Sequence, residues 1–200
     1  YMELIELAGL DCSIMDVSVF ALANCFEQNY GIQKGAPTLL LNIGASLTNF
    51  VVVESGEVIF ARDVPVGGIT YTVELEKGMG ISQDEAESMK ISASTNQPVP
   101  DEANEIIKST HQMVCEELQG SFEFFLNTSN HSAVEKLFVS GGGSRVKGLK
   151  EELSKALEVQ CETLDPFRSL QLSPKVFDDS YIQEIRDLAS IVVGHGIRRI

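Results

Sequence analysis

Positive charge is scarce in this chain. Its 200 residues carry 15 Lys and Arg against 29 Asp and Glu, a formal net charge of −14. Such a surface repels phosphate backbones, so general nucleic-acid binding is not expected. Long apolar runs are also lacking. None approaches the ~18 residues of a membrane span, and the best candidate, 188–197, is broken by Gly194, His195 and Gly196. Direct membrane insertion is therefore not expected. There is no charged-then-apolar leader and no initiator Met, and the helical-looking opening at Tyr1 predicts a piece of a longer chain. Cys12, Cys25, Cys115 and Cys161 form no C-x-x-C pair and sit among apolar neighbours, which predicts reduced core thiols in a cytosolic chain. His111, His131 and His195 show no ligand spacing, so a zinc or iron site has no support.

What is present is an ordinary globular composition, 44% hydrophobic and 22% charged, enough for one large domain or two small ones. Residues 15–26 predict a helix with small residues on one face and Asp11 and Asp16 near its start, where carboxylates suit the helix dipole. After a loop over 31–37 the period changes. Residues 38–43 are nearly all apolar, as in a strand buried on both faces. Turns at 42–46 and 55–57 separate this strand from two more, over 47–54 and 58–64, making an antiparallel meander. Helices are predicted over 69–77 and 81–90, the second opened by a capping box of Ser82 and Glu85. A loop over 92–100 leads to a long amphipathic helix from Asp101 to about Leu126, with the stripe Ile106, Ile107, Val114, Leu118, Phe122 and Phe125. A strand over 134–140 runs into Gly141-Gly142-Gly143-Ser144. A helix over 149–157, a strand over 159–164 and a closing helix over 181–194 follow. The closing helix is expected to turn Ile182, Ile185, Leu188, Ala189 and Val192 inward. The succession makes the fold class α/β.

Two glycine-rich turns, 42–48 and 141–144, each follow a strand. Glycine lets backbone approach a ligand closely, and free N–H groups at a turn attract anionic oxygens. Plain tight turns use glycine as well, so neither turn decides the matter alone. The triple glycine lacks the last glycine of G-x-G-x-x-G and has no acidic residue about 20 positions on, which argues against a dinucleotide site. There is no G-K-[ST] for a Walker loop and no G-x-S-x-G elbow for a serine hydrolase. Arg198-Arg199 reads as the charged end of a helix or as a solvent-facing pair. Asp178-Asp179 and Asp84, Glu85 and Glu87 read as solvated or helix-start acids. The phenylalanines of the long helix read as core.

Several segments stand in a familiar order: G-L-D-C-S-I-M-D-V-S-V-F-A-L-A-N-C-F (9–26), L-N-I-G-A-S-L-T (41–48), G-E-V-I-F-A-R-D-V-P-V-G-G (56–68), D-E-A-E-S-M-K (84–90) and L-F-V-S-G-G-G-S-R-V-K-G-L (137–149). Asp165-Pro166-Phe167 and the V-G-H-G-I-R ending (193–198) continue it. The combination of F-x-R-D-x-P-x-G-G with S-G-G-G-[SA]-R is specific. On these residues the chain resembles the PilM family of type IV pilus assembly, relatives of FtsA and MreB. The resemblance implies an α/β fold of the actin-like ATPase (ribonuclease H-like) kind, of which this is the back part. Residues 1–35 correspond to the end of the first lobe, a subdomain 1A remnant. Residues 36–200 correspond to the second lobe, subdomain 2A with a small 2B insertion at about 72–132. The first lobe would be mostly missing, including its D-x-G-[ST] phosphate hairpin and subdomain 1C.

The resemblance also implies a site. Gly44, Ala45, Ser46 and Thr48 would form the second phosphate loop, facing the β- and γ-phosphates of ATP. Glu87 and Lys90 would reach the ribose and adenine side, and Gly141, Gly142, Gly143 and Ser144 would form the adenosine loop. Asp16 falls where actin-like proteins carry the residue that orients the attacking water. Where the family has Asp before the Ile-Gly of the phosphate loop, this chain has Asn42, a neutral amide that holds Mg²⁺ through its water shell less well. Asn is also an ordinary turn former at a strand end. The implied function is a nucleotide-binding cytoplasmic scaffold with ATP as a conformational ligand. It would dock at the inner membrane through the cytoplasmic N-terminal tail of a PilN-like protein and meet other pilus assembly proteins. An active ATPase of the actin and sugar-kinase superfamily remains open, as does a secretion-system interaction module that no longer binds nucleotide. With half the cleft missing, this piece is expected not to hydrolyse ATP, and its uncovered face implies self-association.

Overall fold

The apolar segment Thr38–Ile43 forms β1, the central strand of a five-stranded sheet ordered β3-β2-β1-β4-β5. The computed structural model describes residues 1–173 and 175–198. β1 is buried along nearly its whole length, as its two apolar faces predict. β2 (Thr48–Glu54) and β3 (Glu57–Val64) follow as antiparallel neighbours. Ser55 (φ 52) and Gly56 (φ 85) close their hairpin in the left-handed region, the turn whose twist matches that of the strands. β4 (Lys136–Ser140) lies parallel on the other side of β1, and β5 (Cys161–Thr163) lies parallel beyond it.

Helices cover both faces of this sheet. On one, α3 (Gly68–Met79), α5 (Asp101–Thr128) and α6 (Leu149–Ala156) bury Leu39, Leu41, Ile43, Phe50 and Leu137. On the other, α2 (Ser18–Tyr30) and α8 (Ser190–Gly196) cover Leu40, Val51 and Phe138. α4 (Gln83–Ser94) packs beside α3, opened by the expected box: Glu85 N donates to Ser82 Oγ and Ser82 N to Glu85 Oε2. α5 buries the predicted stripe, with Ile106 half-buried, although Phe124 on the same helix is exposed. α1 (Met2–Leu7) and α7 (Asp179–Ile185) bury no residue. Among the described residues, no helix is long and apolar enough to cross a membrane.

Two sequence expectations need correction. The closing helix is not continuous: α7 stops at Ile185, a 3₁₀ turn spans Arg186–Leu188, and α8 restarts at Ser190. Leu188 (51% exposed) and Val192 (72%) face outward, while Ser190 and Gly194 turn inward. The reason is proximity. A Cβ on Gly194 would lie 1.8 Å from the Ala21 carbonyl oxygen of α2, so the two helices cross on their smallest residues rather than on their apolar stripe. The second correction concerns the thiols. Burial raises Cys25 to about 12, Cys161 to about 12 and Cys115 to about 11, consistent with inert core thiols. Cys161, however, is only half-buried against the core, and Cys12 is half-buried in the irregular segment before α2. Arg198 stands exposed just past α8, as one of its two sequence readings expects, and its Nε also lies 2.9 Å from Asp16 Oδ2. Arg199 lies outside the described residues.

Candidate functional site

β1 and β4 are parallel neighbours whose chains leave in opposite directions, β1 to β2 and β4 towards β5. A crevice opens outside the carboxyl ends of two such strands, the usual ligand position in an α/β sheet. Three glycine-bearing turns meet there. Gly44 N donates to Leu47 O (2.9 Å), closing the turn after β1. Gly68 N donates to Gly44 O (2.9 Å) and Ile69 N to Ala45 O (2.8 Å), which fastens the start of α3 to that turn. The third turn follows β4. Gly141 has φ 86, and a Cβ on it would stand 2.3 Å from Ile43 O, so the end of β4 crosses the end of β1 closer than any side chain allows.

The turns surround an open cleft of about 1320 Å³. Asn42, Gly44, Ala45, Glu87, Lys90 and the whole run Gly141–Ser144 line it. The amides of Ala45, Gly142 and Gly143 donate to no acceptor among the described residues, so these turns present unspent N–H groups at the cleft.

Lys90 is 8% exposed, and its ammonium has an acceptor for each of its three protons: Gly68 O at 3.1 Å, Thr72 Oγ1 at 3.0 Å and Glu87 Oε2 at 2.6 Å. Thr72 Oγ1 also donates to Glu87 Oε2 at 2.6 Å. Burial pushes the Glu87 carboxyl up, but the hydrogen bonds from Lys90 and Thr72 and the Lys90 charge together outweigh it. Glu87 is thus held below its ordinary value and stays ionised. Its Oε1 makes no hydrogen bond among the described residues.

At the end of the sheet a polar row crosses four strands. Ser140, Asn42, Asn49 and Asp63 are direct cross-strand partners. Ser140 Oγ donates to Asn42 Oδ1 (3.2 Å), Asn42 Nδ2 to Asn49 Oδ1 (3.1 Å), and Asn49 Nδ2 to Asp63 Oδ1 (2.8 Å). No group of three His, Cys, Asp or Glu side chains among the described residues could ligate a metal. Asn42 offers a neutral oxygen, which suits hydrogen bonding to a cation's water shell rather than direct ligation.

The remaining expected residues lie elsewhere. Ser46 is exposed at the tip of its turn, outside the cleft lining. Thr48 is fully buried and its hydroxyl donates to Val66 O at 2.7 Å, which directs it into the core. Asp16 stands in a separate pocket of about 390 Å³, shared with Cys12, His195 and Arg198. There its Oδ1 accepts from Val17 N at the start of α2 (2.9 Å), and its side chain is 6% exposed.

Sequence reasoning assigned no role to the latch on the far wall. Arg145 Nε donates to Asp187 Oδ2 (2.9 Å), Arg145 Nη2 donates to the Glu184 carbonyl, and Gly141 N donates to Asp187 O (2.7 Å). These bonds hold the segment around Asp187 against the triple glycine, at the point where the closing helix is interrupted. The arginine of S-G-G-G-[SA]-R was a signal in plain view. Nothing in the sequence pointed to Asp187.

The fold is that of the actin-like ATPases. The structure aligns over 98% of its length with MreB 5 of Spiroplasma citri bound to AMPPNP (TM-score 0.68, 13% identity, 61% of that chain). It aligns over 96% with the ethanolamine utilization protein EutJ from Carboxydothermus hydrogenoformans (TM-score 0.66, 20% identity, 58% of that chain). The likeness is stronger to a chain of the PilM-PilN type IV pilus biogenesis complex, with TM-score 0.82 and 25% identity over 98% of this chain and 56% of that one. Residues 1–199 match the family described as type IV pilus assembly protein PilM, and the chain belongs to that family. It spans between half and two thirds of the length of each of these solved chains.

Proposed function

We propose that this chain is the nucleotide-binding part of a cytoplasmic scaffold in type IV pilus assembly, with ATP as a conformational ligand. The observation that carries the reading is the pair of glycine turns whose unspent amides, at Ala45, Gly142 and Gly143, line a single cleft. Oriented N–H groups of this kind suit phosphate oxygens. Gly44 and Ala45 would cradle the terminal phosphates, and Gly141–Ser144 would lie under the adenosine. Glu87 Oε1 would accept from a ribose hydroxyl. Lys90, its three protons already engaged, would keep Glu87 and Gly68 in place rather than touch the nucleotide itself. A hydrated Mg²⁺ accompanying the phosphates would meet Asn42. MreB 5, which shares the fold, has been solved with ADP and with AMPPNP.

Binding without efficient turnover fits these residues best. Asp16 is held by Arg198 in a pocket apart from the cleft, and Asn42 is neutral. Residues 1–35 are read as the end of a first lobe and 36–200 as the second. Family membership and the likeness to the PilM-PilN complex support a PilN-like partner, engaged through its cytoplasmic N-terminal tail. The protein would then sit peripherally at the inner membrane through this partner. Thermal unfolding with and without ATP tests the nucleotide reading. A ligand at 100 times its Kd stabilises by about 2.7 kcal/mol, which raises the Tm of a chain this size by roughly 5–10 °C. An unchanged Tm at millimolar ATP would refute it.

A further inference from the structure

The polar row at the end of the sheet has a direction, and one residue sets it. An ionised carboxylate only accepts hydrogen bonds, whereas an amide accepts at one end and donates at the other. Asp63 is the only carboxylate among the four cross-strand partners. Asn49 must therefore turn its NH₂ to Asp63 (2.8 Å), which leaves its oxygen facing Asn42. Asn42 must in turn direct its NH₂ to Asn49 (3.1 Å), so its oxygen faces Ser140, the residue before the triple glycine. Reversing either amide would set oxygen against oxygen or nitrogen against nitrogen.

We infer that Asp63 is a positioning residue for the cleft: acting through Asn49, it fixes the Asn42 side chain so that an oxygen, not an NH₂, is presented beside the glycine turns. This rests on the nucleotide reading above and deepens it. The amides of Ala45, Gly142 and Gly143 are donors suited to anionic oxygens. A reversed Asn42 would add one more donor. The orientation imposed by Asp63 makes Asn42 an acceptor instead, able to take hydrogen bonds from the water shell of a cation that accompanies phosphates. The neutral residue at this position thereby keeps the acceptor character of a carboxylate without its charge. Asp63 itself is exposed on the edge strand, well outside the cleft lining, and it is the aspartate of the F-x-R-D-x-P-x-G-G motif. Energy is not its contribution, since an exposed hydrogen bond of this sort adds little stability; its contribution is polarity.

Two measurements test this. The first needs no ligand: the side-chain amide signals of Asn49 and Asn42 are followed by ¹⁵N NMR in the wild type, Asp63→Ala and Asp63→Asn. In Asp63→Ala both signals should move, although Asn42 does not touch residue 63. In Asp63→Asn, whose amide can donate as well as accept and so no longer imposes a direction, the Asn42 signal should move as well. Movement of Asn49 alone in Asp63→Ala would overturn the inference. The second is the ratio of ATP dissociation constants in EDTA and in Mg²⁺. Asp63→Ala should reduce that ratio by about threefold to tenfold, the worth of one ordinary hydrogen bond, and leave the EDTA value unchanged. An unchanged ratio, with ATP still bound, would overturn the inference. Absence of ATP binding in the wild type would instead refute the nucleotide reading, and the NMR comparison would then decide whether Asp63 orients Asn42.

Discussion

Replacing Lys90 by Met removes the ammonium and keeps an unbranched stem of similar length to fill its place. The wild-type ammonium bonds Gly68 O, Thr72 Oγ1 and Glu87 Oε2 at 3.1, 3.0 and 2.6 Å. Hydrogen bonds to charged groups contribute roughly 1.5–3 kcal/mol each, but three sharing one proton source do not add. Thr72 keeps its own bond to Glu87, and the Glu87 side chain is 46% exposed, so water can replace part of what that carboxylate loses. The buried Gly68 carbonyl is the acceptor with least recourse. The sum is a destabilisation of about 2–3 kcal/mol, which urea unfolding would read as a lower midpoint with unchanged slope. The Glu87→Gln variant should lose less, because its amide oxygen still accepts from Lys90. A Lys90→Met protein as stable as wild type would refute this reasoning. It would mean that Lys90 is a ligand contact only, free until nucleotide arrives.

Two glycines make opposite predictions. Gly194→Ala drives a methyl into the Ala21 carbonyl of α2, where only backbone can yield, and should cost about 3 kcal/mol, the upper end for overpacking. Gly120→Ala, with nothing near its Cβ on the exposed side of α5, should instead stabilise by about 1 kcal/mol through helix propensity; chemical denaturation measures both. His111 is buried between Tyr71 OH (2.8 Å from Nδ1) and Lys147 O (3.0 Å from Nε2). Burial lowers its pKa from 6.5, over the opposing pull of the Lys147 carbonyl and the Glu152 and Glu151 charges. The folded state therefore binds its proton later than the unfolded chain does. The contribution of His111 should be fully present above pH 6.5 and decline as the pH falls below it. A His111→Phe variant should lack that part of the pH dependence in denaturant unfolding, and an identical profile would contradict the assignment.

The parts legible in the sequence are those set by neighbours along the chain. The apolar run 38–43 and the turns at 42–46 and 55–57 placed β1 to β3, and Ser82 with Glu85 opened α4 where expected. Motif order carried the fold and the two glycine turns, which do meet at one cleft. What could not be read depends on residues far apart in sequence. The packing of Gly194 on Ala21 spans the molecule, so the periodicity of 181–194 found Ala189 but misplaced Leu188 and Val192. Thr48 sits in the phosphate-loop segment, yet its alternation in β2 turns the hydroxyl to Val66 O. The row from Ser140 to Asp63 exists only once four strands are in register. Arg198 reads as a helix end until it is seen to face Asp16.

The central claim is that the glycine turns bind nucleotide. Gly142 is the place to test it: its backbone lies outside the left-handed region, and a Cβ there would meet only the movable end of Leu188 at 3.2 Å. Gly141 and Gly143 would instead clash with β1. Gly142→Asp should thus fold normally while setting a carboxylate in the cleft. Titration of ATP with Mg²⁺ into the wild type and Gly142→Asp, with phosphate release followed in the same samples, should show binding without release in the wild type and none in the variant. Equal binding by both would contradict the account, and so would no binding by either.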